Sequence, residues 1–171
     1  MGDPRKIRKK YETPAHPWQK TRLEEESELI KRYGLKNKRE IWRAKTMLRR
    51  FRSEARTLLA LDIEEREQIE RDFLNKLIRY GLLEEDSKLE DVLGLKLEDL
   101  LERRLQTLVH KKGLARTPKQ SRQLIVHGHI TVGDRKVTKP SYMVLRDEEN
   151  LLSHAKDSPF KSISQEVSKN E

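Results

Sequence analysis

The side chains best suited to chemistry in this chain are cations, and they are gathered rather than scattered. From Leu101 to Arg146 there are 11 Lys and Arg against 2 Asp and Glu, a net +9 that equals the formal charge of the whole 171-residue protein. Arg116, Thr117 and Lys119 stand where a helix should begin. Thr117 can cap it, and Pro118 fits the first helical position, where a missing N–H costs nothing. Open amides and the positive end of the helix dipole suit an anionic oxygen at such a place. Arg122 follows one turn on. Arg104 and Lys112 belong to the preceding helix, and Lys136 and Lys139 to a β ribbon. Packing the two helices side by side would bring these cations to one surface, which is chemistry for holding a polyanion.

Chemistry for transforming a substrate is missing. The chain has no G-x-G-x-x-G, P-loop, H-E-x-x-H or G-x-S-x-G pattern. His127 and His129 flank Gly128 without a third convergent ligand, so they read as hydrogen-bond donors at a helix end, not as a metal site. Cysteine is absent, which excludes disulfides and thiolate sites. Acid pairs such as Asp62 with Glu65 fit helix capping. The expectation is a protein that is not an enzyme and needs no cofactor, metal or small-molecule substrate. No apolar run approaches the roughly 20 residues of a membrane span, and no secretory pattern opens the chain, so a cytoplasmic setting is expected.

The elements that must position the cations follow from punctuation and period. Residues 1–19 hold Pro4, Pro14 and Pro17 with Arg5, Lys6, Arg8, Lys9 and Lys10, and read as an extended basic arm whose Trp18 should dock on protein or on a base. Residues 20–100 read as a helical domain. Thr21 with Glu24 and Asn37 with Glu40 look like capping boxes, and Gly34 ends the first helix. In the second helix Ile41, Ala44, Leu48, Phe51, Ala55 and Leu58 share one face. The rest of its circumference carries Arg39, Arg43, Lys45, Arg49, Arg50, Arg52 and Arg56, a second candidate phosphate surface. A third helix from Ile63 to Tyr80 should bury Ile69, Phe73, Leu77 and Tyr80. Ser87 with Glu90 should open a short helix ending at Gly94, and a single helix should run from Leu97 to Lys112.

Residues 101–146 then form a small module of two helices and a β ribbon, with Ile130 and Val132 turning at Gly133-Asp134 to Val137. Tyr142 to Leu145 suggest an edge strand. From Asp147 to Glu171 the polar, Ser-rich chain predicts a loosely held tail. The fold class is α+β, mostly α.

Charge is blocked along the chain: net +10 over residues 1–60, −7 over 61–100, +9 over 101–146 and −3 over 147–171. Two basic surfaces parted by an acidic one fit a single large anionic partner. Aromatic residues are 5% of the chain, too few for a stacking platform, which favours folded RNA read by backbone and shape, although composition alone does not separate RNA from DNA.

The stretches Glu102-Arg103-Arg104-Leu105-Gln106-Thr107, Gly113-Leu114-Ala115-Arg116-Thr117, Ser121-Arg122-Gln123-Leu124-Ile125, His127-Gly128-His129-Ile130 and Lys139-Pro140-Ser141-Tyr142 resemble the RNA-binding module of small-subunit ribosomal protein four. Tyr33 to Arg43 resembles the archaeal and eukaryotic branch of that family, and the modest length favours an archaeal source. The resemblance implies a structural, primary binder of small-subunit (16S) ribosomal RNA that nucleates folding of the subunit body and influences decoding accuracy with proteins five and twelve. It implies RNA-facing roles for Arg104, Arg116, Thr117, Arg122, Gln123 and His129. Ser121 stands where the family often has Ala, and the cysteine knuckle of some bacterial members is absent. The same module occurs in pseudouridine synthases and a tRNA synthetase, which need a catalytic domain this chain lacks. A free-standing translation regulator or ribosome-rescue factor is the other alternative.

Overall fold

The computed structural model describes residues 9–160, without the side chains of Ile63 and Glu64. Helices come first: α1 (Lys20–Tyr33), α2 (Lys38–Leu59), α3 (Ile63–Arg79), α4 (Leu89–Gly94) and α5 (Leu97–Glu102). The module follows: α6 (Leu105–Lys111), α7 (Pro118–Val126), β1 (Ile130–Val132), β2 (Arg135–Lys136), a 3-10 turn (Glu149–Leu151) and β3 (Leu152–His154).

The spine of the first half is α2. Ile41, Leu48, Phe51, Ala55 and Leu58 are buried along one stripe, as their spacing requires. Each fully buried large side chain contributes on the order of 1.5–3 kcal/mol of transfer free energy. Leu48, Phe51, Ala55 and Leu58 join Phe73 and Leu77 of α3, Leu89 and Val92 of α4, and Leu100 of α5 in one core. Ile41 joins Tyr33, Leu35 and Leu101 in a smaller one. The module has its own core of Leu105, Leu108, Val109, Leu124, Ile125, Ile130, Val132, Val137, Val144 and Leu152.

Several local expectations give way to longer-range contacts. The helix expected from Leu97 to Lys112 is broken at Arg103-Arg104, where Arg104 makes a β-bridge with Met143 and Leu105 N–H donates to Tyr142 O at 2.8 Å. That pairing uses the residues read as an edge strand, so Tyr142 to Leu145 joins no sheet. The third strand comes instead from residues read as a loose tail: β3 pairs antiparallel with β1 in the order β2-β1-β3. Leu152, His154, Ala155 and Ser158 are buried there. The ribbon itself is as expected, with Thr131 opposite Lys136 and Val132 opposite Arg135 across the Gly133-Asp134 turn.

The caps also differ. Helix α1 starts at Lys20 behind Gln19, so Thr21 and Glu24 form no box, and neither Asn37 nor Asp62 caps its helix through its side chain. Asp91 and Asp99 do so for α4 and α5, accepting the Lys88 and Lys96 N–H at 2.8 and 2.7 Å. Ser87 Oγ instead accepts from Glu84 N. Ile69 is 51% exposed, off the α3 stripe. Trp18 is 88% exposed and docks on no described residue.

Candidate nucleic-acid interface

The two halves meet at a polar seam that places the cations. Gly34 ends α1 with φ +61°, a left-handed turn that favours glycine. A Cβ there would lie 2.8 Å from Pro118 Cβ and 3.0 Å from its carbonyl carbon. The end of α1 therefore touches the start of α7. Gln106, buried on α6, has its side-chain amide within 3.2 Å of Tyr33 O and 2.9 Å of both Gly34 O and Pro118 O.

Beside this contact Glu40 of α2 holds two arginines of the module. Arg104 donates to its Oε2 at 2.5 Å, and Arg122 lies 2.9 Å from its Oε1. Arg122 also donates to Gln106 Oε1 at 3.3 Å. Burial acts to raise the Glu40 pKa, but hydrogen bonds from Arg122 and Arg104, with their charge, outweigh it and hold the carboxyl below its ordinary range. Glu40 is thus an ion-pair centre and not the capping acid its place in the helix suggested.

Each cation named from the sequence can now be placed. Arg104 is 5% exposed and faces Glu40, a strut inside the seam. The Arg122 side chain is 26% exposed and lies at the rim. Arg116, Thr117 and Lys119 are exposed at the start of α7. Thr117 Oγ1 caps that helix by accepting Gln120 N–H at 3.1 Å, and Arg116 N–H donates to Gln120 Oε1 at 2.8 Å. Gln123 is exposed and contacts His127 Nε2 at 3.3 Å. His129 packs edge-on against Phe160, ring centroids 5.0 Å apart. Lys136 pairs with Asp157 at 3.3 Å, Lys112 donates to Glu149 O, and the Lys139 side chain is exposed with no ion-pair partner among the described residues.

On α2 the cations divide. Arg49 pairs with Glu12 of the arm, and Arg52 donates to Leu95 O at 2.5 Å. Arg56 donates to Arg52 O at 3.1 Å, and Lys45 lies 3.6 Å from Glu26. Glu26 is fully buried and also accepts from Arg22 at 3.0 Å and Trp42 at 3.1 Å. Arg39, Arg43 and Arg50 are exposed and have no ion-pair partner among the described residues. The arm lies against the same helix: Tyr11 packs on Trp42, and Glu12 N–H donates to Thr46 Oγ1 at 3.0 Å. Lys9 and Lys10 are exposed. Arg5, Lys6 and Arg8 lie outside the described residues. No group of three or more His, Asp or Glu among the described residues could hold a metal, and no described helix is long and apolar enough to cross a membrane.

One functional arginine was missed by sequence reasoning. Arg103 donates to Tyr80 O at 2.8 Å, Glu149 at 2.6 Å and Val144 O at 3.1 Å, tying α3 to the module. No local signal marked it, because its partners come from residues 80, 144 and 149, far along the chain.

Two adjoining family models match residues 3–150 of the chain. Residues 3–102 match the ribosomal protein S4/S9 N-terminal domain, and residues 103–150 match the S4 domain. The chain belongs to the ribosomal protein S4 family. It is 56% identical to small ribosomal subunit protein uS4 of Sulfurisphaera tokodaii over 94% of this chain and 92% of that protein. It is 53% identical to the protein of the same name from Methanothermobacter thermautotrophicus, over 94% of each chain. The Ignicoccus hospitalis protein of that name is 56% identical, over 94% of this chain and 96% of its own. The boundary between the two family models falls at the break between α5 and α6.

Proposed function

We propose that this chain is a structural component of the small ribosomal subunit and binds its ribosomal RNA through both halves at once. The observation that carries the reading is the Glu40 centre. It joins the N-terminal part of α2, with its exposed Arg39 and Arg43, to α7, whose start exposes Arg116, Thr117 and Lys119. Two cationic surfaces from separate parts of the sequence are thereby held at a fixed angle. Such a clamp can hold two RNA helices in their folded relation, which lowers the free energy of folding the RNA around them.

In this reading Arg116, Lys119, Arg122 and Lys139 of the module, Gln123 and His129, and Arg39, Arg43 and Arg50 of α2 face RNA. Lys9, Lys10 and the arm before them extend the same contact. Arg104 acts by positioning Arg122. Early binding that nucleates assembly of the subunit body, an influence on decoding accuracy, neighbours such as small-subunit proteins five and twelve, and a cytoplasmic setting are the finer parts of the proposal.

Nitrocellulose filter binding with a Sulfurisphaera tokodaii small-subunit rRNA transcript tests it. With roughly six to ten phosphates neutralised, affinity should fall about a thousandfold or more between 50 and 200 mM salt. Specific binding with a flat salt response, or no binding, would refute the reading.

A further inference from the structure

A cleft of about 280 Å³ opens where α2 meets the Arg104–Met143 bridge. The geometry points to this cleft as a receptor for one unstacked nucleobase of the bound RNA. The inference rests on the RNA-binding reading above and names a contact within it.

Size comes first. At about 280 Å³ the cleft falls just below the roughly 300–1,000 Å³ of sites for drug-sized molecules, which suits a single ring system. Its lining is mixed. Ala44 and Met47 of α2, with Leu100 and Met143, supply apolar surface, and both methionines also pack against the main helical core. Thioether sulfur packs well on aromatic faces, so two methionines can hold a flat base without an aromatic partner. That answers the low aromatic content of the chain.

Charge decides the class of occupant. Lys10, Arg43 and Glu40 also line the cleft; Glu40 is already matched by Arg104 and Arg122, whereas Lys10 and Arg43 are exposed with no ion-pair partner among the described residues. An apolar side chain from another protein would leave these cations unmatched. A nucleotide carries a flat apolar face and a phosphate at about the spacing of one residue, and so matches both.

A third observation is independent of shape. Arg104 also lines the cleft, is 5% exposed, and its Nε–H is buried with no hydrogen-bond acceptor. Buried donors are rarely left unpaired without a functional reason. Arg104 is anchored to Glu40 through Nη2, so a small turn of its guanidinium can offer a second donor to a base carbonyl or ring nitrogen. Ser141 adds a hydroxyl, exposed and without a hydrogen-bond partner among the described residues.

The test uses the full chain and the same rRNA transcript. Wild type, Met143→Ala and Ser141→Trp are compared by filter binding across a salt series and by base-specific chemical probing. Ser141 is exposed, so the tryptophan fills the cleft from outside without disturbing the core. Thermal melts establish that each variant is folded. Both variants should lose roughly tenfold or more in affinity with an unchanged salt slope, because a base contact releases no counterions. One base protected by wild type should become reactive again while the rest of the footprint stands. Arg43→Ala should instead lower the salt slope by about one. Two folded variants with wild-type affinity and footprint would overturn the cleft assignment, as would equal RNA binding with lost recruitment of a second ribosomal protein. Absence of wild-type binding would overturn the RNA-binding reading itself, so the two failures are distinct.

Discussion

Replacing Glu40 by Met puts the seam to a direct test. The substitution preserves length but leaves Arg104, which is 5% exposed, with no carboxylate opposite it. Removing one partner of a buried pair costs about 3–5 kcal/mol. Arg122 adds little to that cost, because its side chain is already 26% exposed and can turn to solvent. Taking about 3 kcal/mol, and about 2–4 °C per kcal/mol for a chain of this size, the melting temperature should drop by about 6–12 °C. Arg104→Met should be milder, since Glu40 keeps Arg122. The double variant, apolar on both sides, should recover much of the loss. Circular dichroism melts on the four proteins give the coupling directly. pH supplies a second axis. The folded carboxyl titrates below its unfolded value of about 4.3, so its stabilisation is present above that value and is lost as pH falls through the depressed folded one. Glu40→Met should lack that acid-side component. A drop below about 2 °C, or strictly additive losses in the double variant, would refute the account of Glu40 as the joint between the halves.

Three further outcomes follow from the geometry. Gly34→Ala should cost about 2 kcal/mol or more, because φ is +61° and the added Cβ meets Pro118 at 2.8 Å; Gly113→Ala, with φ +69° in open space, should cost only about 1 kcal/mol, as chemical denaturation will measure. Gln106→Leu removes the donor to Tyr33 O, Gly34 O and Pro118 O and should cost about 1–3 kcal/mol, with faster hydrogen exchange at the start of α7. Ending the chain at Arg146 removes β3 and the buried Leu152 and Ala155, so the module should lose its cooperative melt while the α2–α3 core persists as a separate transition.

What the sequence made legible was local. The α2 stripe is periodic over five turns, and both the α7 cap and the Gly133-Asp134 turn are encoded by adjacent residues. Arg116, Thr117 and Lys119 could be placed at a helix start for the same reason. What it hid is held by distant partners. The break at Arg103-Arg104 exists because residues 140–144 pair back onto it, and helical period cannot announce that. Leu152 to His154 is a strand only because β1 presents a free edge to it. Glu40 had the spacing of a capping acid, and its true partners lie 64 and 82 positions away. The α2 cations looked nearly unopposed because Glu12 and Glu26, which answer Arg49 and Lys45, come from the arm and α1.

The two hydrogens of Gln106 are shared among three carbonyls, two at the end of α1 and one at the start of α7. Splaying the halves apart would break the two bonds to the α1 carbonyls while the one to Pro118 O stayed within the module, and with the Glu40 pairs this sets the jaw angle before any encounter. Association should then proceed at a collision rate governed by ionic strength, with no slow hinge-closing phase in stopped-flow traces. The entropic toll of docking falls on the nucleic acid, which must conform to a template already rigid.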